Sequence, residues 1–352
     1  MSGEPGAAGA AGAVGSASET KDRRRRTLAS IGRIALLIIG LVVVAWLVWA
    51  AGPAKVGAAI KEAGLWLPLL AVMEIGMNTC DVMSARSQLG VHKSLVPLRT
   101  WIQASTLAFA LMILFPAGRA AGEVARAAAV GRHVGLARAA VASVAFNAGN
   151  LFAVAILSLV GAAFAGLGPP ETHALAIALL INAAIVAGIG IFVSGMLRSK
   201  GAALFIVRRL KLGDALQSEV KSAVSESLSL WKSVAWCTAG RTVQWAQFGV
   251  FVAAIGGKVT ISSASLAQGI HLIGASAGDM IPNQAATLEG AYAAFAGAMH
   301  LTMDRALALP LVHRVELIAL GVLCLVTSTM MKRASAQPTT SAPDTASAPA
   351  ER

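Results

Sequence analysis

Charge is what this sequence has least of. Only 13% of its 352 residues are Asp, Glu, Lys or Arg, roughly half the share of a soluble domain. Hydrophobic residues make up 56%. Runs of about 18 or more residues without charge recur, and each is a candidate membrane span, so lipid is the solvent for the outer surface. Rings are also scarce. Aromatics are 5% with a single Tyr, which argues against the stacking platforms of nucleic-acid binders. The three cysteines, Cys80, Cys237 and Cys324, lie far apart inside apolar stretches. They have no zinc spacing and form no redox pair, so buried thiols that behave as small hydrophobes are expected. No H-E-x-x-H, G-x-S-x-G, Asp-rich metal motif or P-loop occurs, so no metal or cofactor is expected and ATP is not the expected energy source.

What is present is basic charge and small residues. The formal charge is +12, with Lys and Arg flanking the apolar runs, as the positive-inside rule and contact with anionic lipid require. Abundant Gly and Ala let helices approach closely in a membrane. Residues 1–28 read as a disordered basic tail: Gly/Ala-rich to residue 20, then Lys21 and Arg23–Arg26. The run 31–51 that follows is about 20 residues long, enough to span, and lacks a clear cleavage site, so an anchor helix is expected rather than a signal peptide. Residues 332–352 read as a second disordered tail.

Clear spans are 31–51, 65–84, 137–166, 174–196, 233–256 and 306–331. Stretches 100–135 and 264–303 are interrupted by Pro, Gly and charge. The segments 86–99 and 198–232 and the start of the C-terminal tail are basic and belong on the cytoplasmic side with the N-terminus, whereas 167–173 lacks Lys and Arg and belongs outside. Counting crossings between these loops makes 100–135 enter and return from the cytoplasm and 264–303 enter and return from outside. The expected fold is an all-α polytopic membrane protein of about six full spans plus two oppositely oriented re-entrant segments, an inverted repeat of a kind transporters use. The alternative is that 100–118, uncharged throughout except for its flanks, simply spans. The halves are 29–197 and 233–331. Between them, the 198–232 linker repeats Leu212, Leu216, Val220, Val224 and Leu228 every four residues, an amphipathic helix lying on the membrane or on the bundle.

The two interrupted stretches share a pattern. Pro116-Ala-Gly118-Arg119-Ala-Ala-Gly122-Glu123-Val-Ala-Arg126 and Pro282-Asn-Gln-Ala-Ala-Thr-Leu-Glu289-Gly290 both place a Glu seven residues after a Pro. Pro116 and Pro282 break the helix, and Gly118 and Gly290 permit the turn. Broken backbone at membrane depth belongs where it lines a cavity, and a restarting helix aims free N–H groups at that cavity. Arg119 and Arg126 flank such a start and suit a phosphate headgroup, which Arg binds bidentately. Glu123 sits where it reaches both arginines, either neutralising them or acting as a ligand itself. Glu289 needs a cation from elsewhere, and Arg314 or Arg241 are the options. Further polar residues inside spans are Glu74, Asn78 and Asp81 on one face, Asn147 and Asn150 on another, and Glu316 beside Arg314. Ionisable residues there default to a functional reading, while the asparagines read as interhelical glue. His271 and His313 read as polar packing.

These blocks, together with 308–314, resemble the transmembrane region of lysylphosphatidylglycerol synthases and their stand-alone flippase-like relatives, over roughly residues 30–331. The resemblance implies a bacterial inner-membrane protein that flips an aminoacylated, anionic or isoprenoid lipid, with Arg119, Gly122, Glu123, Arg126, Glu289 and Arg314 at the headgroup and Glu74, Asp81, Asn147 and Arg241 in supporting roles. The family's Arg-containing motif in the following span is replaced here by Phe146-Asn147, and the second block is less Gly-rich than usual. Only a short tail follows residue 331, so aminoacyl transfer is not expected. Membrane lipid is the expected partner, nucleic acid is not, and a homo-oligomer remains open. A lipid-modifying intramembrane enzyme and a small-solute transporter coupled to protons through Glu74 and Asp81 are the rival readings.

Overall fold

The computed structural model describes residues 42, 45, 46, 49, 52–114, 118–199, 214–225, 229–278 and 286–336. Most of the expected 31–51 anchor, the N-terminal tail 1–28, the C-terminal tail beyond residue 336, and the break prolines Pro116 and Pro282 lie outside them. All regular structure among the described residues is helical. The helices are α1 (Pro53–Ala63), α2 (Leu67–Ser87), α3 (Leu98–Leu114), α4 (Gly118–Val134), α5 (Leu136–Gly166), α6 (His173–Arg198), α7 (Asp214–Ser225), α8 (Leu230–Ala254), α9 (Ile261–Gly278), α10 (Thr287–Ala294) and α11 (Met303–Ala336).

Four helical stretches among the described residues are long and apolar enough to cross a membrane: Pro53–Ser87, Leu136–Gly166, Pro170–Arg198 and Met303–Met331. Their outer faces are apolar in the way lipid demands. Ile177, Ile181, Ile185 and Phe192 on α6, and Val315, Val322 and Val326 on α11, are all exposed. The α8 helix, read from the sequence as a clear span, is 25 residues long but is not among the four. Its polarity is turned inward: Gln244 and Gln247 are buried, and α2, α5 and α9 pack around it. A helix that supplies hydrogen bonds to its neighbours has fewer apolar residues than one that faces only lipid.

Contact between α2 and α8 depends on small side chains. Ser84 and Ser233 meet at 2.7 Å, the Cys237 thiol donates to Ser84 at 3.2 Å, and a Cβ on Gly240 would lie 3.1 Å from that of Cys80. Short residues let the backbones close up and gain dispersion that lipid would otherwise supply. The three cysteines are free thiols.

The two interrupted stretches each form a pair of packed helices, α3 with α4 and α9 with α10. In both pairs the second helix packs on the long helix that follows it, α4 on α5 and α10 on α11. The first helix packs on the long helix of the other half, α3 on α11 and α9 on α5. The contact pattern therefore repeats between halves. The pairs also begin and end at different places. Thr100, at the start of α3, and His133, at the end of α4, face each other at 3.4 Å. Near them, Arg99 donates to the Met331 carbonyl at 3.4 Å. Gln88, directly after α2, donates to the Ser229 carbonyl at 3.1 Å, directly before α8. The far end of α5 meets the other pair: Gly168 and Thr172 line a cavity with Ser262 at the start of α9 and Met299 and His300 just after α10. Between those ends runs α5, 31 residues long, or about 46 Å.

Gly122 explains how α3 and α4 lie so close. A Cβ there would fall 2.5 Å from the Ala108 carbonyl oxygen. In the second pair the expected break glycine has no such close contact. Gly290, expected at the helix break, lies inside α10 with open space where a Cβ would go. The left-handed residue is Ala286, at φ 69, directly before α10. A break can fall on a non-glycine when the surrounding packing holds it, at a cost of about 1–2 kcal/mol.

In the linker, Ala223 and Val224 of α7 are buried against Val141, Ala145 and Leu197. The apolar stripe thus faces α5 and α6, so α7 lies on the bundle. Leu212 and Leu228 fall outside the described residues.

Candidate functional site

Each helix pair supplies a carboxylate that meets an arginine, and the two arrangements are built differently. In the first, Arg126 Nη2 donates to Glu123 Oε1 at 2.9 Å, within α4. The i, i+3 spacing puts them on one face. Their side chains are 15% and 24% exposed, respectively. The Arg126 guanidinium also lies over the Phe146 ring of α5, 5.3 Å from its centre. Aromatic faces attract cations through the ring quadrupole, so Phe146 of α5 is a further partner of the Arg126 guanidinium. Beside Arg126 is a cavity of about 10 Å³, lined in part by Trp101 and Ser143, room for roughly one water. Arg119 opens α4 next to Gly118; its side chain is outside what the structure describes.

In the second pair the partners belong to different helices. Arg314 Nη2 of α11 lies 2.7 Å from Glu289 Oε1 of α10. The Glu289 side chain is 1% exposed. Of the two cations open to Glu289, the structure selects Arg314. Removing one member of a buried pair strands the other in low dielectric and costs about 3–5 kcal/mol.

Arg241 is engaged elsewhere. Its Nη2 donates to Asn150 Oδ1 at 2.8 Å and its Nη1 to Gln244 Oε1 at 2.8 Å. Gln268 Nε2 of α9 donates to the same Gln244 oxygen at 3.2 Å. This network ties α5, α8 and α9 at the centre of the bundle. Of the two asparagines on α5, Asn150 is the structural partner. Asn147 donates to the Ser143 carbonyl of its own helix at 2.9 Å, satisfying itself locally and reaching no other element through that bond.

Gln247 joins carboxylates from both halves. Its amide nitrogen lies 3.3 Å from Glu74 Oε2 and 3.1 Å from Glu316 Oε1. Asn78 donates to Glu74 Oε1 at 3.1 Å. Asp81 is half-buried one turn further along α2. His271 and His313 sit with Phe248 and Phe251 in a buried ring cluster, the two imidazole centres 5.2 Å apart. Both imidazoles contact the Phe248 ring, and His313 the Phe251 ring, so the histidines are polar members of an aromatic core.

Sequence reading located both carboxylates of the helix pairs but not the glutamines. Gln244, Gln247 and Gln268 recur on the faces of α8 and α9 that meet Arg241 and Glu74, and uncharged amides inside a span attract less notice than ions. Phe146 was likewise noted only as a departure.

The fold and its buried ion pairs define an all-α membrane protein with polar chemistry enclosed between helices. A family model for the lysylphosphatidylglycerol synthase TM region matches residues 34–324, and the chain belongs to that family. Membership places it in a membrane and connects it with lipid. Comparison with the curated proteins and with the solved structures returned no match for either.

Proposed function

We propose that the chain binds a lipid headgroup and carries it between leaflets of the bacterial inner membrane, both termini lying in the cytoplasm. One observation carries this reading. Two helix pairs begin and end at opposite ends of α5, and each contributes a carboxylate that an arginine answers, Arg126 on α4 itself and Arg314 on the neighbouring α11. The end holding residues 88, 99, 133 and 331 gathers the basic segments and is read as cytoplasmic. The α3–α4 pair then dips in from the cytoplasm and α9–α10 from the outside. At 17 residues each, α3 and α4 reach about 26 Å, short of a bilayer core of about 30 Å. The α10 helix, at eight residues, is shorter still.

Arginine provides the recognition: it binds phosphate bidentately while the paired carboxylate keeps the site neutral when empty. The headgroup moves within the protein while the acyl chains remain in lipid. Among the described residues the cavity beside Arg126 is water-sized, so headgroup entry there calls for α4 to shift away from α5. The substrate class is an anionic, aminoacylated or isoprenoid lipid, and no bond is made or broken. Downhill flux or an ion gradient drives it.

Fluorescent phospholipid exchange in proteoliposomes tests the proposal. Arg126→Ala, and the double change Glu289→Leu with Arg314→Leu that keeps the core free of a lone charge, are expected to abolish exchange at normal expression. Wild-type exchange by both would refute it. Sidedness is checked independently by Cys labelling at His133 and at Lys258, both exposed, in a background lacking Cys80, Cys237 and Cys324. The two positions should react from opposite sides.

A further inference from the structure

One buried cluster takes no part in either arginine pair. Glu74 of α2, Gln247 of α8 and Glu316 of α11 are 2%, 0% and 2% exposed. The single Gln247 amide nitrogen has three acceptors in reach: Glu74 Oε2, Glu316 Oε1 and the Leu70 carbonyl at 3.2 Å. A primary amide has two hydrogens, so one acceptor is always left short. Asn78 cannot make up the deficit, because its amide already serves the Glu74 carbonyl and Glu74 Oε1. Two further oxygens, Glu316 Oε2 and Gln247 Oε1, are buried without a hydrogen-bond partner among the described residues. A buried acceptor left unsatisfied carries its full desolvation cost.

The charge count points the same way. Glu74 and Glu316 bring two negative charges. Facing them are Arg241 on α8, Asp81 on α2, and His313 and Arg314 on α11 beside Glu316. Arg314 is held by Glu289. Asn150 of α5 is neutral, and His271 of α9 belongs to the ring cluster. Lys61 and Glu62 of α1 are exposed, and Arg99 of α3 is at the far end of that helix. Among the described residues Arg241, itself bound to Asn150 and Gln244, is the cation of another helix whose charge reaches Glu74, and Asp81 adds to the negative side. Two carboxylates bridged by one neutral amide and opposed by one arginine are short of at least one positive charge among the described residues.

The geometry points to Glu74, Gln247 and Glu316 as a binding site for one small monovalent cation, H⁺ or Na⁺. A proton on either carboxyl turns an acceptor into the missing donor; Na⁺ would instead draw on the unpartnered oxygens. The cation joins α2 of the first half to α11 of the second. When it leaves, two carboxylates repel across a low-dielectric gap. That repulsion acts on α11, two residues from the Arg314 that holds α10. Occupancy would therefore bias the second helix pair. The cation site stands on its own; its coupling to lipid movement rests on the function proposed above.

Two measurements on the purified wild-type protein decide the site without any variant. Infrared difference spectroscopy across a pH titration in Na⁺-free buffer is expected to show a protonated-carboxyl band that disappears as pH rises. Melting at fixed pH with Na⁺ replaced by a bulky organic cation separates the Na⁺ form, which alone would raise the melting temperature. Glu74→Gln and Glu316→Gln should each remove whichever signal is seen, and Asp81→Asn should keep it. If wild type gives neither signal, or if both Gln variants retain it, the proposal is overturned. Coupling is then read from lipid exchange under an imposed H⁺ or Na⁺ gradient: Glu316→Gln should lose the gradient dependence. No exchange by wild type under any gradient would sink the lipid reading, and the spectra would still decide the cation site.

Discussion

The two helix pairs use the same ingredients to opposite effect. In the first, Glu123 and Arg126 are neighbours on α4, partly open, with Phe146 as a third partner. Neither needs another helix for its charge to be balanced. In the second, Glu289 is enclosed and its countercharge sits on α11. The first pair can separate from α5 and remain neutral, so it is suited to opening towards a ligand. The second is locked by an ion pair that bridges two helices. Parting α10 from α11 there exposes a lone carboxylate to low dielectric, unless a new charge replaces the old. The same asymmetry extends to packing. Gly122 is squeezed against the Ala108 carbonyl, whereas Gly290 faces open space.

The sharpest way to break this comparison is Arg314→Ala. It strands Glu289 and should destabilise the protein by about 3–5 kcal/mol, read as a large fall in melting temperature in detergent. Glu289→Leu with Arg314→Leu should restore most of that loss, because the stranded charge is gone. If Arg126→Ala lowers stability as much as Arg314→Ala, the two pairs are not different in kind.

Glycine substitutions give the next largest contrast. Gly122→Ala forces a Cβ into the Ala108 carbonyl and should cost about 1–3 kcal/mol, as overpacking does. Gly290→Ala meets nothing and removes a flexible residue from a helix, so it should be neutral or stabilise by up to about 1 kcal/mol. Equal destabilisation by the two would show that α3 and α4 are not in close contact.

The smallest effect concerns the ring under Arg126. Phe146→Leu keeps the apolar volume and removes the cation–π contact, at a cost of about 0.5–1 kcal/mol. Its mark should be a change in the lipid concentration needed for exchange more than in stability. An unchanged concentration dependence would leave Phe146 as packing alone.

Much of the architecture was legible because lipid imposes simple rules. Long apolar runs gave α5, α6 and α11, and basic loops predicted which ends gather together. The Pro-to-Glu spacing marked both interrupted stretches and picked out Glu123 and Glu289. Three features were not legible. Gly290 has the look of a break residue, yet it lies inside α10 and the left-handed residue directly before that helix is Ala286, whose conformation depends on its surroundings and not on its identity. Arg241 and Arg314 were equal candidates for Glu289, because each lies in a span and sequence distance says nothing about which face meets which. The glutamines of α8 and α9 carry no charge to announce them, and their value lies wholly in which carboxylates they touch.

What the amino-acid order determined unaided is the solvent the chain lives in and the period at which polar groups interrupt it, since both follow from local composition and the length of a bilayer crossing. Tertiary structure alone decided which buried charge is answered by which, because that depends on how helices from distant parts of the chain lie side by side. Glu123 found its partner one turn away on its own helix. Glu289 found one 25 positions along the chain (Arg314), and Glu74 shares an amide with Glu316, more than two hundred residues distant.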